Sequence, residues 1–164
     1  NHTILSDING RSVDAAPDLR IAYKHEMKKF VFEKLGNWKK VAHFLKNSST
    51  NIHLLEGDLG AGKTTLVKFY MQLFDLDNEV SSPTFGIINQ YALESNPVFH
   101  IDLYRLDNNK DLEEIGIFEI LHSGYTIFIE WPELIKPFIP LPYNLVSIDH
   151  QNKKRVVHVE MVNT

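Results

Sequence analysis

The chain has 164 residues, of which 43% are hydrophobic and 23% charged, a balance typical of globular proteins and unlike that of disordered ones. It contains no cysteine, which excludes disulfides, thiolate metal ligands and cysteine nucleophiles, and its formal net charge of −4 does not suit a direct nucleic-acid binder. The length predicts one core and one main site. Because no apolar run approaches the roughly 20 residues of a membrane span, we expect a soluble, cytoplasmic protein without a membrane partner.

The first part of the chain predicts an extension followed by a single domain. Residues 1–25 have no sustained periodicity, so we expect an N-terminal extension there and one domain over residues 26–164. From Asn37 to Lys46 apolar residues recur at helical spacing, and the asparagine is placed to cap the helix. The apolar run from Ile52 to Leu55 predicts a short strand, and residues 63–74 again show helical spacing.

The middle of the chain alternates between strand and helix patterns. Strands are predicted for Phe85 to Tyr91, Val98 to Leu103 and Tyr125 to Ile129. A helix is predicted for Asp111 to Leu121, with a break at Gly116. The last of these strands is almost entirely apolar, as in a buried parallel strand.

The end of the chain predicts a C-terminal β-hairpin. Two alternating stretches, Leu145 to His150 and Arg155 to Met161, flank the polar turn Gln151 to Lys154. Together with the upstream elements this indicates an α/β fold, with a mostly parallel central sheet flanked by helices and an antiparallel edge.

A phosphate-binding motif lies between the first predicted strand and its helix. The segment GDLGAGKTT, residues 57–65, has the pattern of glycine, four residues, glycine, lysine and threonine that defines the P-loop NTPase class. Backbone N–H groups wrap around phosphate oxygens, while Lys63 reaches the β- and γ-phosphates and Thr64 binds magnesium. We therefore predict that ATP and Mg²⁺ are bound by Gly57, Asp58, Leu59, Gly60, Ala61, Gly62, Lys63, Thr64 and Thr65.

Two carboxylates are candidates for the remaining chemistry. Glu130 ends the apolar run YTIFI, as in a Walker B element, and Asp102 lies in the strand-like FHIDLYRL. We assign Glu130 to magnesium, with Asp102 as a second metal ligand or as the base that activates water, and these two roles are open to exchange. Lys63 completes the catalytic set.

Other residues near these motifs have two interpretations each. Trp131 is either core or a ring that stacks on the base, and Ser82-Pro83-Thr84-Phe85 is either a strand-starting turn or a loop that senses the γ-phosphate. For His100 we favour a packed strand residue over a ligand, and for Arg105 a surface ion pair over a contact with phosphate or a partner protein.

Five motifs in order resemble one known family. GDLGAGKTT, SPTF, HIDLYRL, EEIGIFEIL and IEWPE together, over about residues 52–136, are similar to the TsaE (formerly YjeE) family of bacterial P-loop ATPases. The resemblance implies a small ATPase that is needed for threonylcarbamoyladenosine modification of tRNA. Its partners would be TsaB and TsaD, and tRNA would be met only indirectly through that complex.

The resemblance also implies residue roles. The metal site becomes Thr64 with Glu130, Asp102 and Trp131 become essential positions, and Ser82 and Thr84 belong to a segment that changes with nucleotide state. The chain departs from the family where a threonine normally precedes the first helix near the adenine, since Asn37 and Trp38 stand there.

Three alternatives remain open from the sequence. The protein could be a nucleotide-gated binding module with negligible turnover of its own, or a small-molecule kinase, although only Arg105 and Arg155 follow residue 20 to serve an arginine-bearing lid. A GTPase is disfavoured because the segment 109–112, NKDL, lacks the final aspartate of the guanine-binding N-K-x-D pattern. We expect ATP to bind in preference to GTP, with hydrolysis to ADP and phosphate that is slow alone and stimulated by partners.

Overall fold

The computed structural model describes residues 5–6, 12–13, 27–75, 87–91 and 96–164. Its strands are β1 Leu5–Ser6, β2 Ser12–Val13, β3 Met27–Phe32, β4 Ile52–Glu56, β5 Ile88–Tyr91, β6 Val98–Asp102, β7 Thr126–Glu130, β8 Tyr143–Gln151 and β9 Lys154–Val162. Its α-helices are α1 Trp38–Lys46, α2 Lys63–Gln72, α3 Asn109–Glu114 and α4 Ile117–Leu121, and short 3-10 turns cover Leu35–Asn37, Pro132–Leu134 and Lys136–Phe138.

Seven strands form one mixed sheet in the order β3-β9-β8-β4-β7-β6-β5. The four central strands, β8, β4, β7 and β6, run parallel, while β5 at one edge and β9 and β3 at the other pair antiparallel. Among the residues that the structure describes, β1 and β2 form a separate two-stranded antiparallel sheet. The predicted α/β architecture with a C-terminal hairpin is therefore confirmed.

Helices cover both faces of the sheet and create two cores. Helices α1 and α2 pack on one face, and α3, α4 and the following 3-10 turns pack on the other. Strand β7 serves both cores because its side chains alternate: Phe128 lies in the first core, and Ile127 and Ile129 lie in the second. The same alternation places Glu130 on the face covered by α2.

The region before α1 differs from the sequence-based prediction. Strand β3 was not predicted, although Phe30 and Phe32 alternate with exposed neighbours and place their rings against Phe44 and Trp38 of α1. Asn37 does not cap the helix, because it has helical backbone angles, closes a 3-10 turn and makes no capping hydrogen bond through its side chain. The chain enters α1 through this turn instead.

Other boundaries differ by only a few residues. Helix α2 ends at Gln72, two residues earlier than expected, and β6 ends at Asp102. The predicted break at Gly116 is confirmed: this glycine has a φ of 72° and separates α3 from α4. Such a left-handed conformation ends a helix and is readily adopted by glycine. In the described ranges, no helix combines the length and apolar composition needed to cross a bilayer.

Candidate functional site

The candidate site forms where three neighbouring parallel strands end. The P-loop follows β4, Glu130 ends β7, and Asp102 ends β6. The register pairs Leu55 of β4 with Glu130 and pairs Glu130 with Asp102. Because the strands are parallel, these ends share one edge of the sheet, where α/β proteins commonly bind ligands.

Two glycines of the P-loop are required by its close packing. A Cβ atom at Gly57 would lie 2.8 Å from the carbonyl oxygen of Ile148 in β8. Gly62 has a φ of 123°, and a Cβ there would collide with the ring of Trp38. The ring of Trp38 thus packs directly against the start of α2.

Lys63, the first residue of α2, is held inside the loop. Its ammonium group donates a hydrogen bond to the carbonyl oxygen of Gly57 and lies 3.7 Å from the centre of the Trp131 ring. Burial lowers the pKa of Lys63, and the nearby carboxylates, led by Glu130 and Asp102, act in the opposite direction. The position is suited to an ammonium that moves onto bound phosphate.

Glu130 links the P-loop helix to the sheet. The hydroxyl of Thr64 donates a hydrogen bond to Glu130 Oε2 at 3.0 Å, and His100 Nε2 lies 2.5 Å from the same oxygen. Both Glu130 and His100 are buried, with exposed fractions of 3% and 0%. The expectation that His100 is packed in its strand is confirmed, but its contact with Glu130 was missed.

Asp102 lies beside Glu130 and is half-buried. The backbone N–H of Tyr104 donates to Asp102 Oδ1 at 3.0 Å. Burial raises the pKa of Asp102, the hydrogen bond from Tyr104 lowers it, and the adjacent Glu130 carboxylate raises it further. The two neighbouring carboxylates therefore have different surroundings. Glu130 is buried against the P-loop helix, whereas Asp102 is partly exposed to solvent.

The Thr64 and Glu130 oxygens fit a magnesium ion. Adjacent ligands of octahedral Mg²⁺, with bonds of about 2.1 Å, are about 3.0 Å apart, which equals the 3.0 Å between these two oxygens. Among the described residues, no group of three or more histidine and acidic side chains is arranged to hold a metal alone. The remaining ligands would be phosphate oxygens and water, as is usual for magnesium bound with a nucleotide.

Two further residues contribute to the surroundings of the site. Arg155, at the start of the C-terminal strand, donates from Nε to the carbonyl oxygen of Ala61 at 2.7 Å. Trp131 has a left-handed backbone, with a φ of 55°, and its ring contacts that of Tyr104. Beside it is an open cleft of about 510 Å³ lined by Leu103, Tyr104, Leu106, Asp107, Trp131, Glu133 and Leu134.

The structure therefore brings together most of the residues selected from the sequence. Lys63, Thr64, Asp102, Glu130 and Trp131 lie around one P-loop. The segment from Ser82 to Phe85 lies outside the described residues. The sheet order, the loop after β4 and the acidic end of β7 define the fold of a P-loop NTPase.

Comparison with known proteins identifies the family. Residues 32–157 match the model of the family described as "Threonylcarbamoyl adenosine biosynthesis protein TsaE", so the chain belongs to the TsaE family. The match begins at the last residue of β3 and includes every residue of the site described above.

Individual relatives agree with this assignment. The tRNA threonylcarbamoyladenosine biosynthesis protein TsaE of Haemophilus influenzae is 34% identical over 131 residues, which cover 78% of this chain and 83% of that protein. The protein of the same name from Rickettsia conorii is 38% identical, over 74% and 71% of the two chains. The crystal structure of YdiB from Bacillus subtilis matches with a TM-score of 0.70 and 25% identity, and the match covers 86% of this chain and 89% of that one.

Proposed function

We propose that this protein binds ATP with Mg²⁺ and hydrolyses it to ADP and phosphate as the ATPase subunit of a threonylcarbamoyladenosine-forming assembly in the cytoplasm. TsaB and TsaD family proteins are its partners, and tRNA is reached only through that complex. Residues 26–164 act as the ATPase domain, and residues 1–25 are an extension of it. The observation that carries the proposal is the hydrogen bond of Thr64 to Glu130, which joins the P-loop helix to the acidic strand end.

Phosphate binding is the task of the loop between β4 and α2. Its glycines allow close approach of the backbone, and the N-terminus of α2 supplies positive potential. Lys63 exchanges the carbonyl of Gly57 and the ring of Trp131 for the β- and γ-phosphates. Since phosphate oxygens are stronger acceptors than either present partner, this exchange favours a triphosphate.

Magnesium, when bound, neutralises the charge that develops on the β- and γ-phosphate oxygens. Thr64 and Glu130 would hold it, since their oxygens already lie at the spacing of adjacent ligands. Glu130 is therefore the metal-side carboxylate. Its burial and its two hydrogen-bonded partners leave it poorly placed to accept a proton from water.

Asp102 is the residue that orients the attacking water and accepts its proton. It lies one strand away from Glu130 and is only half-buried, so solvent can reach it. Burial raises its pKa, and a base whose pKa is nearer to the working pH is more effective. The hydrogen bond from Tyr104 keeps the carboxylate oriented.

The proposal that partners stimulate hydrolysis is based on the small number of arginines in the chain. Only Arg105 and Arg155 follow residue 20, and Arg155 is already bonded to the P-loop carbonyl of Ala61. Fast phosphoryl transfer generally uses a mobile cation on the γ-phosphate. We therefore expect a cation for the γ-phosphate, or the closure that delivers one, to come from a partner protein.

One experiment separates the roles of Glu130 and Asp102 and tests the proposed ATPase function. ATP binding is measured by calorimetry with Mg²⁺ and with EDTA, and hydrolysis is measured with and without TsaB and TsaD, for the wild type, Glu130→Gln and Asp102→Asn. We expect Glu130→Gln to lose the benefit of Mg²⁺ in binding, and Asp102→Asn to bind normally but lose about 100-fold or more in stimulated turnover. ATP binding without turnover under any partner condition would identify a nucleotide-gated binding module instead.

A further inference from the structure

We propose that His100 is a positioning residue that holds the Glu130 carboxylate in the orientation needed for the metal. This inference rests on the proposed function, because it assigns the device that prepares the magnesium ligand. It gives a role to a residue that the phosphate-binding motif and the acidic strand end do not include.

The geometry is that of two donors on one oxygen. Glu130 Oε2 receives the Thr64 hydroxyl from the helix side at 3.0 Å and lies 2.5 Å from His100 Nε2 on the sheet side. Thr64 alone cannot hold the carboxylate in place, since its hydroxyl oxygen must also bind the metal. A donor on the rigid strand β6 fixes the carboxylate whether or not the metal is present.

The ring of His100 is enclosed by neighbouring side chains. The residue is fully buried in β6, and the register places it opposite Phe128, two positions before Glu130 in the neighbouring strand. Tyr91 of the edge strand lies beside it, with ring centres 6.4 Å apart. Removing a partner that orients a metal ligand in this way typically costs about 10- to 100-fold in metal affinity.

A purely structural role makes a different prediction. A buried carboxylate needs hydrogen-bond donors for stability alone, and removing one would destabilise the fold without changing the response to Mg²⁺. The discriminating quantity is therefore the Mg²⁺ dependence of ATP affinity. Binding in EDTA, which needs the P-loop and Lys63 but no metal, serves as the internal reference.

The chain contains a matched control in His53. This residue is also a buried strand histidine, lying opposite the other side of Phe128 in β4, with ring centres 4.9 Å apart. Its Nδ1 contacts the side-chain amide of Asn144 at 3.1 Å, and it belongs to a polar group at the opposite end of the strands from the P-loop. Replacing it removes a comparable buried ring without touching Glu130.

The test measures ATP affinity by calorimetry over a Mg²⁺ titration and in EDTA for four proteins: wild type, His100→Leu, His100→Gln and His53→Leu. We expect His100→Leu to weaken apparent Mg²⁺ affinity by about 10- to 100-fold while ATP affinity in EDTA is retained. His100→Gln can place an amide N–H near the Nε2 position and should recover part of the loss. His53→Leu should lower stability but keep the Mg²⁺ dependence of the wild type.

Two further variants keep the inference falsifiable if His100→Leu does not fold. His100→Asn is as polar as His100→Gln but too short to reach Glu130, so only the asparagine variant should show the full Mg²⁺ defect. In the background of Glu130→Ala, replacing His100 should cause no further change in Mg²⁺ dependence, because the two residues act through the same carboxylate.

The outcomes separate this inference from the proposed function. If the wild type binds ATP equally well with Mg²⁺ and with EDTA, the proposed magnesium site itself is wrong. If the wild type depends on Mg²⁺ but the His100 variants respond as it does, or if His53→Leu shifts the dependence equally, the positioning role is wrong and the metal site stands.

Discussion

The Nε of Arg155 lies 2.7 Å from the carbonyl oxygen of Ala61, so the C-terminal hairpin holds a P-loop peptide across 94 residues of sequence. In a trans peptide, the carbonyl and the next N–H point in opposite directions. Holding the oxygen of Ala61 from outside therefore directs the N–H of Gly62 towards the other side, as a phosphate cradle requires. We therefore expect the hairpin to support the proposed nucleotide site through the backbone.

We predict that Arg155→Met weakens ATP affinity by about tenfold, or about 1.4 kcal/mol, since a charge-assisted hydrogen bond is lost. Calorimetry in the presence of Mg²⁺ measures this ATP affinity. The exposed neighbour Lys154 provides the control, because Lys154→Met changes the charge equally without touching the loop. Equal affinities for the two variants would show that the bond does not shape the cradle.

The contact between Lys63 and Trp131 predicts an optical signal for binding. The ammonium lies 3.7 Å from the ring centre, and phosphate should draw it away. The chain has two tryptophans, so Trp38→Phe makes Trp131 the sole reporter. We expect ATP to change its emission, and we expect Lys63→Met to abolish the change even at nucleotide concentrations that saturate its weakened site. If ATP still changed the emission of Trp131 in Lys63→Met, the emission change would not report movement of the Lys63 ammonium.

Two P-loop glycines should differ in their tolerance of a methyl group. At Gly60, with a φ of 78°, a Cβ meets nothing within 4 Å, so alanine should cost only backbone strain of about 1–2 kcal/mol. At Gly62 the same methyl collides with the Trp38 ring, and the backbone is strained as well. We expect Gly62→Ala to lower the free energy of unfolding by at least about 2 kcal/mol more than Gly60→Ala.

Urea denaturation of the nucleotide-free proteins makes the comparison. Gly36→Ala is the neutral reference, because a Cβ there meets no atom within 4 Å and the φ of Gly36 is not positive. Equal destabilisation by alanine at positions 60 and 62 would show that the Trp38 ring moves aside without a loss of folding free energy.

Stability should depend on pH through His53. Burial lowers the pKa of His53 to about 3, from an ordinary value of 6.5. Below pH 6.5 the unfolded chain therefore binds a proton that the folded chain does not, so stability is lost as the pH falls towards 3. From about pH 7.5 to about pH 5 the loss from this residue is about 2 kcal/mol.

The variant His53→Asn provides the comparison. Asparagine keeps an acceptor for Asn144 but cannot titrate and loses the contact with Phe128. It should be less stable than the wild type near neutral pH, and the difference should shrink in acid. Parallel stability curves from urea denaturation would contradict the assignment of the pH dependence to this histidine.

The parts of the fold that were predicted correctly all have local signals. The P-loop is a contiguous motif, the apolar run before Glu130 predicts a buried strand, and Gly116 marks a helix break within its own turn. The motifs that carry the family resemblance are of this kind, and the family match confirms the resemblance. In each case the residues that decide the structure are close in sequence.

The missed features depend on residues that are distant in sequence. Strand β3 is short and forms by pairing with β9, which lies more than 120 residues further along the chain. His100 was interpreted as packed because nothing adjacent to it in sequence shows that Glu130 would lie 2.5 Å away. Asn37 has the right residue type for a cap, but the preceding 3-10 turn already gives it helical backbone angles.

The sequence by itself determined the class of the protein, because phosphate binding requires glycines, a lysine and a threonine at fixed spacing in a single loop. Only the tertiary structure decided how the two carboxylates differ. Parallel pairing of β6 with β7 places Asp102 and Glu130 side by side, but α2 and His100 enclose only Glu130. Burial and hydrogen-bond partners come from packing between distant segments, and no local pattern encodes them.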